Sequence, residues 1–557
     1  MSAALRTSDG PAGADPAAAA PPARSDLKRG SLIGVLVGLM LGILMGALDN
    51  TIVVTALPAI VTDLGDRTGL AFVVTAYLVA QTVSMPIFGR LSDHFGRRQF
   101  FLLGLVLFMG GSVLSGASQN FNELLVFRAV QGIGSGAFFP VANSIIGVLY
   151  SPRERARLTG IFSSVFGVAI VVGPLLGSVI VDSIGWRWIF YVNIPIGLVS
   201  FSSVLLTLGP LRASDRMGRF DWQGASLLAG WVAPLVFVLN QVTEGWAWTD
   251  PATVGLLAAS AALFGAFLWW EGRAAEPLIP LRFFRSRVVA AANAVSFLRG
   301  VVMLGGLTFV TIVVTLGLGG STDTVRDTLY GLLVPMIGGS MVGGVLLPRL
   351  GYRPLVATGL AIMALGTLPL VTLSGSTAAV GAGWATVSVG GVGIPLPYLS
   401  GVVLFLVPVG LGIGISFAPI MLAVQYGVPA LDIGIGSSLV QFMGNLGGSI
   451  GLSLLGTLQA NEFSALSPVG PDPCPALAAS GQPAPACVGQ HLAYFASVQH
   501  AFFVSFQDLF WAVVGIAVLA FVFGLLVTGK LPGTAGTAPA PIVGGDATPE
   551  PVPMGPA

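Results

Sequence analysis

Asp49 is the only carboxylate in the apolar run 32–60. Holding a carboxylate at such depth in hydrocarbon costs roughly 2.5–3.5 kcal/mol on insertion scales, and more in simulations. A residue of this kind is expected to face a cavity or a partner, and often marks an ion or proton route. Arg128 is its counterpart in the apolar run 121–147. Counted from the outer ends, Asp49 is about nine residues deep, near 14 Å, and Arg128 about seven, near 10 Å, at 1.5 Å per helical residue. The matched depths allow a pair across a helix bundle, and two readings of it stand. In one, Asp49 binds and releases a proton while Arg128 biases the conformation and the charge state, because a nearby cation favours the carboxylate and apolar burial favours the acid. In the other, a fixed ion pair only positions two helices.

Arg299 is a third buried-charge candidate, about eleven residues into its span and near 16 Å from the inner face. No acid lies in that span, 288–317. It reads either as a cavity-facing cation for an anionic or zwitterionic substrate, or for a polar group opposite, or as a residue packed against carbonyls and amide side chains. Tyr77, Gln81, Gln131, Asn143, Gln441 and Asn445 are polar positions inside spans, and some are expected to line the cavity. Asp432 and Asp508 fall near span ends and need no special role. No His is deep in a span. No metal-ligand cluster, Walker-type phosphate loop or nucleophile constellation occurs, so neither ATP-driven transport nor enzymatic catalysis is expected.

The elements that must carry these residues are membrane helices. Mean hydropathy is +0.88, 54% of residues are hydrophobic and 9% are charged, against about 25% charged in soluble domains. Apolar runs near the roughly 20 residues that cross a bilayer recur, at about 31–60, 70–89, 100–118, 121–147, 159–181, 187–209, 225–243, 252–270, 288–317, 327–347, 355–374, 398–424, 433–459 and 505–529. These make fourteen helices, and the absence of short alternating segments argues against a barrel. With the N-terminus inside, most of the 25 basic residues fall in inner segments, for example Arg90, Arg97 and Arg98, then Arg153, Arg155 and Arg157. Only Arg67, Arg187 and Arg326 fall outside, a strong inside-positive bias.

The net charge of +1 suggests no nucleic-acid partner. The Ala/Pro-rich tails, 1–30 and 530–557, read as disordered and cytoplasmic, and the first is not a signal peptide. Cys474 and Cys487 share the long outer loop 461–500, where they form a disulfide or remain two free thiols. The run ATVSVGGVGIPL in the outer connection 375–397 reads as a hairpin about Gly390-Gly391 or as a flexible loop. One or both long loops are expected to cap the outer mouth.

Residues 89–98 (GRLSDHFGRR) and 344–353 (GVLLPRLGYR) share a pattern: Gly89, Gly96 and Arg98 against Gly344, Gly351 and Arg353. Both follow the second span of a six-span set once spans 7 and 8 are treated as an insertion, which is the repeat logic of a large transporter fold. The chain here resembles the major facilitator superfamily, and within it the fourteen-span drug:proton antiporters of the EmrB/QacA type, over about 31–530. The motifs are LDNTIVVTALPAI at 48–60, GRLSDHFGRR at 89–98, RAVQGIGSGA at 128–137, GVAIVVGPLLG at 167–177 and PLIPLRFFRSR at 277–287. Phe72 stands where many members carry Trp, and Ala169 and Ser178 replace glycines around Gly173-Pro174; small residues there still permit close packing.

The resemblance implies an all-α fold with six-helix bundles at 31–209 and 288–529, joined by a linker, 210–287, that carries two extra helices. It implies Asp49 and Arg128 as the proton-coupling pair. Asp93, Arg97 and Arg98 become a conformational latch in the loop before span 3, with Arg153 or Arg155 as partners for Asp93; a solvated loop charge is the other reading. Gly132, Gly136, Gly173, Pro174 and Gly177 become packing and hinge positions. The implied activity is proton-driven export of small hydrophobic compounds across the bacterial cytoplasmic membrane, by a monomer with no cofactor but the proton gradient. Export of a lipid or a specific metabolite, and less so uptake by symport, are the alternatives.

Overall fold

A computed structural model describes residues 29–65, 70–208, 220–243, 245–317, 322–372, 384–389, 392–467 and 488–529. Fourteen stretches among them are long and apolar enough to cross a membrane. The first bundle holds α1 (Arg29–Leu64), α2 (Leu70–Phe95), α3 (Arg97–Ala117), the collinear pair α4 (Phe121–Ser135) and α5 (Phe138–Leu149), α6 (Pro152–Ile184), and the pair α7 (Trp188–Tyr191) and α8 (Asn193–Thr207). The inserted pair is α9 (Trp222–Thr243) and α10 (Pro251–Glu271). The second bundle holds α11 (Arg287–Ile312), continued by a π-helical turn at Val313–Gly317, then α12 (Thr322–Leu350), α13 (Tyr352–Thr367), α14 (Tyr398–Gly427), α15 (Ile433–Leu466) and α16 (Val488–Gly524). Many large apolar side chains stay exposed, such as Val179, Leu206 and Trp269, as faces turned to lipid require.

The internal repeat has a physical basis. Gly96 and Gly351 adopt φ of 115° and 79°, a region that favours glycine, and each separates two helices, α2 from α3 and α12 from α13. The first glycine of each copy marks a crossing between the bundles. A Cβ on Gly89 would lie 2.6 Å from Ser438 Oγ and 2.9 Å from the Gly434 carbonyl of α15; one on Gly344 would lie 2.6 Å from the Ala156 carbonyl of α6. Two of the contacts between the bundles, α2 on α15 and α12 on α6, are therefore counterparts in the repeat, and α5 on α15 and α6 on α14 pack beside them. The inserted α9 packs on α2 and on α15, and α10 packs on α9. The insertion thus leans on one of these two crossings, with only α10 fully peripheral.

Some boundaries differ from the sequence reading. α1 already begins at Arg29, inside the expected tail. α2 continues through Phe95, so Asp93 lies in its last turns and not in a loop. α15 extends to Leu466 and α16 begins at Val488, well before residue 505, which leaves 467–487 of the expected outer loop. Hydropathy reports the apolar thickness a helix crosses, not how far it projects beyond it. Strands Trp384–Val389 and Val392–Pro397 pair antiparallel, with Val389 opposite Val392, so the 375–397 connection contains a hairpin. Cys474, Cys487, residues 1–28 and 530–557 lie outside the described residues.

Candidate functional site

Two glycines of α4 and a third at its C-terminal cap bring the site together. A Cβ on Gly132 would collide with the Tyr77 carbonyl of α2, and one on Gly136 would collide with the Ser84 hydroxyl and stand 2.8 Å from the Gln81 carbonyl. Gly134 faces the other way, where a Cβ would stand 2.6 Å from the Gly104 carbonyl of α3. α4 is thereby wedged between α2 and α3. On the first bundle's other flank, Gly173 sits against Thr51 and Gly177 against Thr55 and Ile52. Thr51 Oγ donates 3.2 Å to the Ala169 carbonyl, and α6 runs unbroken through Pro174. These crossings hold α1 two residues from Asp49. We expect Gly132→Val, which forces α4 off α2, to cost about 1–3 kcal/mol by overpacking, read as a lowered melting temperature in nanodiscs; an unchanged melt would show that the crossing can yield.

Asp49 and Arg128 meet at the centre of this bundle, 0% and 1% exposed. Arg128 Nη1 donates to Asp49 Oδ2 at 2.5 Å and to Gln131 Oε1 at 2.7 Å. Gln131 Nε2 and Asn193 Nδ2 donate to Asp49 Oδ1 at 2.8 and 3.2 Å. Ser112 Oγ accepts from both amides, at 3.2 and 3.1 Å, and donates to the Phe190 carbonyl at 2.8 Å. The guanidinium stands 4.2 Å above the Tyr77 ring, a further electrostatic contact. Asp49 is thus held by α1, α4 and α8, with α3 behind, and both carboxylate oxygens are satisfied. Asn193 and Ser112 escaped the sequence reading; the available signal was a lone amide in the sixth span, at the junction of α7 and α8.

The other polar positions are buried or half-buried in helix packing. Tyr77 Oη and Gln81 Nε2 both donate to Ser135 Oγ, at 2.7 and 2.8 Å. Asn143 Nδ2 donates to the Phe139 carbonyl at 2.9 Å. Gln441 and Asn445 are half-buried on α15, where Asn445 Nδ2 reaches Met85 Sδ of α2 at 3.7 Å. Arg299 is buried on α11 with its guanidinium 4.6 Å over the Phe417 ring. An apolar cavity of about 710 Å³ lies to the side, between α2, α4 and α9, lined by Phe72, Val79, Ala129, Ala233 and Phe237 among others; it does not reach Asp49.

A second charged cluster closes one end of the molecule. Asp93 Oδ1 accepts from Arg97 Nη2 at 2.9 Å and from Ser144 Oγ at 3.2 Å, and Arg97 Nε donates to the same hydroxyl at 2.5 Å. Asp93 Oδ2 accepts from the Ile435 backbone N–H, 3.0 Å away. Asp93 therefore sits at the N-terminus of α15, where a carboxylate meets unpaired N–H groups and the positive end of the helix dipole. Arg153 and Arg155, the partners expected from sequence, are not its contacts; Arg155 instead lies 5.3 Å from the Tyr426 ring of α14. Nor is Asp93 a solvated charge, at 5% exposure. Arg98 donates to the Leu205 carbonyl at 2.8 Å, within its own bundle. Asp432 has a partner after all, Arg90 of α2 at 2.8 Å. His94 Nε2 stands 2.7 Å from Glu276, which ties the segment after α10 to the same end.

A bundle of fourteen apolar helices with a buried ion pair in one half and a charged clasp between the halves defines a multi-pass membrane transporter. The Major Facilitator Superfamily model matches residues 39–452. Multidrug resistance protein 3 of Bacillus subtilis (strain 168) is 36% identical over 418 residues, 75% of this chain and 78% of that protein. The tetracenomycin C resistance and export protein of Streptomyces glaucescens is 31% identical over 504 residues, 87% and 89% of the two. The human organic anion transporter MFSD10 shares the fold, with a TM-score of 0.54 at 15% identity, over 87% of this chain and 99% of that one. The chain belongs to the Major Facilitator Superfamily, among its drug-efflux transporters.

Proposed function

We propose that this transporter exports small, largely apolar compounds from the bacterial cytoplasm in exchange for protons, by alternating access. The observation that carries the reading is the Asp49 site: a carboxylate at full burial, held by a cation and two amides that can be re-paired when a proton arrives. A membrane acid of this kind is a default candidate for a proton relay. Relatives named for multidrug resistance and antibiotic export support the direction and the substrate class. The bundles correspond to 31–209 and 288–529, with 210–287 as the linker. The basic flank, including Arg90 and Arg97, is the cytoplasmic side, both termini are cytoplasmic, and the working unit is a monomer powered by the proton gradient alone. The clasp of Asp93, Arg90 and Asp432 is then the closed cytoplasmic gate, and the hairpin after α13 lies at the outer mouth. A second reading, export of a specific metabolite or a lipid, is favoured by Arg299, which makes no ion pair among the described residues.

The test is dye accumulation in inverted vesicles acidified inside. Uptake of ethidium or of dansyl dyes is expected on acidification, to collapse with an uncoupler and to be accompanied by proton release. Uptake indifferent to the uncoupler would overturn proton coupling. Net movement of every dye in the opposite direction would overturn export.

A further inference from the structure

Four arginines are buried among the described residues, and three have a carboxylate: Arg90 on Asp432, Arg97 on Asp93, Arg128 on Asp49. Arg299 is the exception. It is 6% exposed, it makes no ion pair with any described residue, and its Nη1 is buried without an acceptor. A guanidinium left in this state is costly in a low-dielectric interior. The Phe417 ring 4.6 Å from it repays only part of that cost. The arrangement is nevertheless built. Gly300, the next residue, packs on Gly444 of α15 so closely that a Cβ would collide with the Gly444 carbonyl. That contact fixes the rotation of α11 and leaves Arg299 against α14.

The surroundings span both halves. Phe417 of α14 meets Phe139 of α5 edge to face, with centroids 5.7 Å apart at 84°. Four residues further along α5, Asn143 is fully buried and its Oδ1 has no donor. Arg299, Phe417 and Phe139 lie ten to twelve residues from the inner ends of their helices, about 15–18 Å at 1.5 Å per residue. They therefore share one level near the middle of the bundle, at the seam that alternating access would open. Asp49 is not available to Arg299, because its oxygens are already taken by Arg128, Gln131 and Asn193.

We propose that Arg299, with Phe417 and Phe139, forms a recognition site for the carboxylate of an aromatic or otherwise apolar anion, so that the exporter prefers anionic to cationic substrates. The guanidinium presents paired N–H donors to a carboxylate, and the two rings receive the apolar body. This rests on the export reading, whose cargo it names more closely.

Equilibrium binding to the full chain in nanodiscs separates the two claims, because it needs no gradient. Dansylglycine and dansylcadaverine share one fluorophore and differ in the charge of the tail, carboxylate against ammonium. Fluorescence anisotropy is expected to show dansylglycine binding at least tenfold tighter than dansylcadaverine. Arg299→Gln should abolish that preference, and Arg299→Lys, which keeps the charge but loses the planar fork, should retain part of it. A wild type without preference, or an Arg299→Gln protein that still prefers dansylglycine, overturns the site. If Arg299→Gln does not fold, an Arg299→Lys protein with wild-type dansylglycine affinity and selectivity overturns it equally. Intact anion preference without gradient-driven dye movement in vesicles would instead overturn the export reading and leave the site standing.

Discussion

Asp49→Asn is expected to lower gradient-driven efflux at least 100-fold in vesicles, while the protein still inserts at normal levels. Insertion follows apolar segment length, which the substitution leaves alone. Stability falls, because Arg128 remains buried without its carboxylate, and removing one member of a buried pair costs about 3–5 kcal/mol. Gln131 Oε1 and the Tyr77 ring stay beside the guanidinium, which places the loss at the lower end. A fixed ion pair that merely positions helices would give the same single-variant phenotype, so the decisive experiment is Asp49→Asn combined with Arg128→Gln. The double variant has no unpaired charge, keeps amides that can bond across the same gap, and should recover much of the melting temperature. If Asp49 carries the coupling proton, the stable double variant exchanges labelled substrate down its own gradient but releases no protons. Recovery of proton-driven transport in the double variant, or full coupling in Asp49→Asn alone, would assign the pair to structure.

How much of this was legible in the sequence depends on the range of the interaction. The matched depths of Asp49 and Arg128 allowed their meeting, because an isolated charge in hydrocarbon needs a partner and only a few residues share its level, and the structure pairs them. Asn193 and Ser112 gave no such warning. An amide or hydroxyl in a span is cheap enough to be tolerated on many faces, and which face it occupies depends on how α7 breaks before α8. The repeat was visible as spacing, and the two glycines of each copy proved to have distinct tasks: Gly89 and Gly344 make close crossings, while Gly96 and Gly351 make positive-φ turns. The clasp was the least legible part. Reading α2 as ending near residue 89 put Asp93 in a loop among nearby arginines, whereas a helix that continues to Phe95 aims it at Ile435, 342 residues away. The same α2–α15 crossing gave Asp432 its partner, Arg90, and one-dimensional hydropathy has no access to pairings of that separation.

The clasp also gives the site a mechanical outlet. Arg128 and Gln131 sit on α4, and Ser144, which bonds to Asp93 and Arg97, sits on the collinear α5. Residues 128 and 144 are about 24 Å apart along such a rod, so a rearrangement around Asp49 can be felt at the clasp if the rod tilts as a unit. The clasp holds by charge. A carboxylate accepting from a helix N-terminus makes a charged hydrogen bond of about 1.5–3 kcal/mol, and Asn in its place keeps an acceptor but loses the charge. Asp93→Asn should therefore shift the closed-to-open ratio of the cytoplasmic gate by about 10- to 100-fold, at about 1.4 kcal/mol per factor of ten. Substrate binding, made elsewhere, should be unchanged and turnover slower. The readout is labelling of Ser438→Cys, at the Gly89 crossing, by a polar maleimide in a background where Cys474 and Cys487 are replaced by Ser. Labelling should rise by tenfold or more with Asp93→Asn. Arg90→Gln, which removes the neighbouring bridge to Asp432, should raise it again, because the two contacts brace the same crossing from adjacent turns of α2. Unchanged labelling together with normal transport in both variants would leave this end of the molecule as static packing, and the search for the gate would move to the α6–α12 crossing at Gly160 and Gly344.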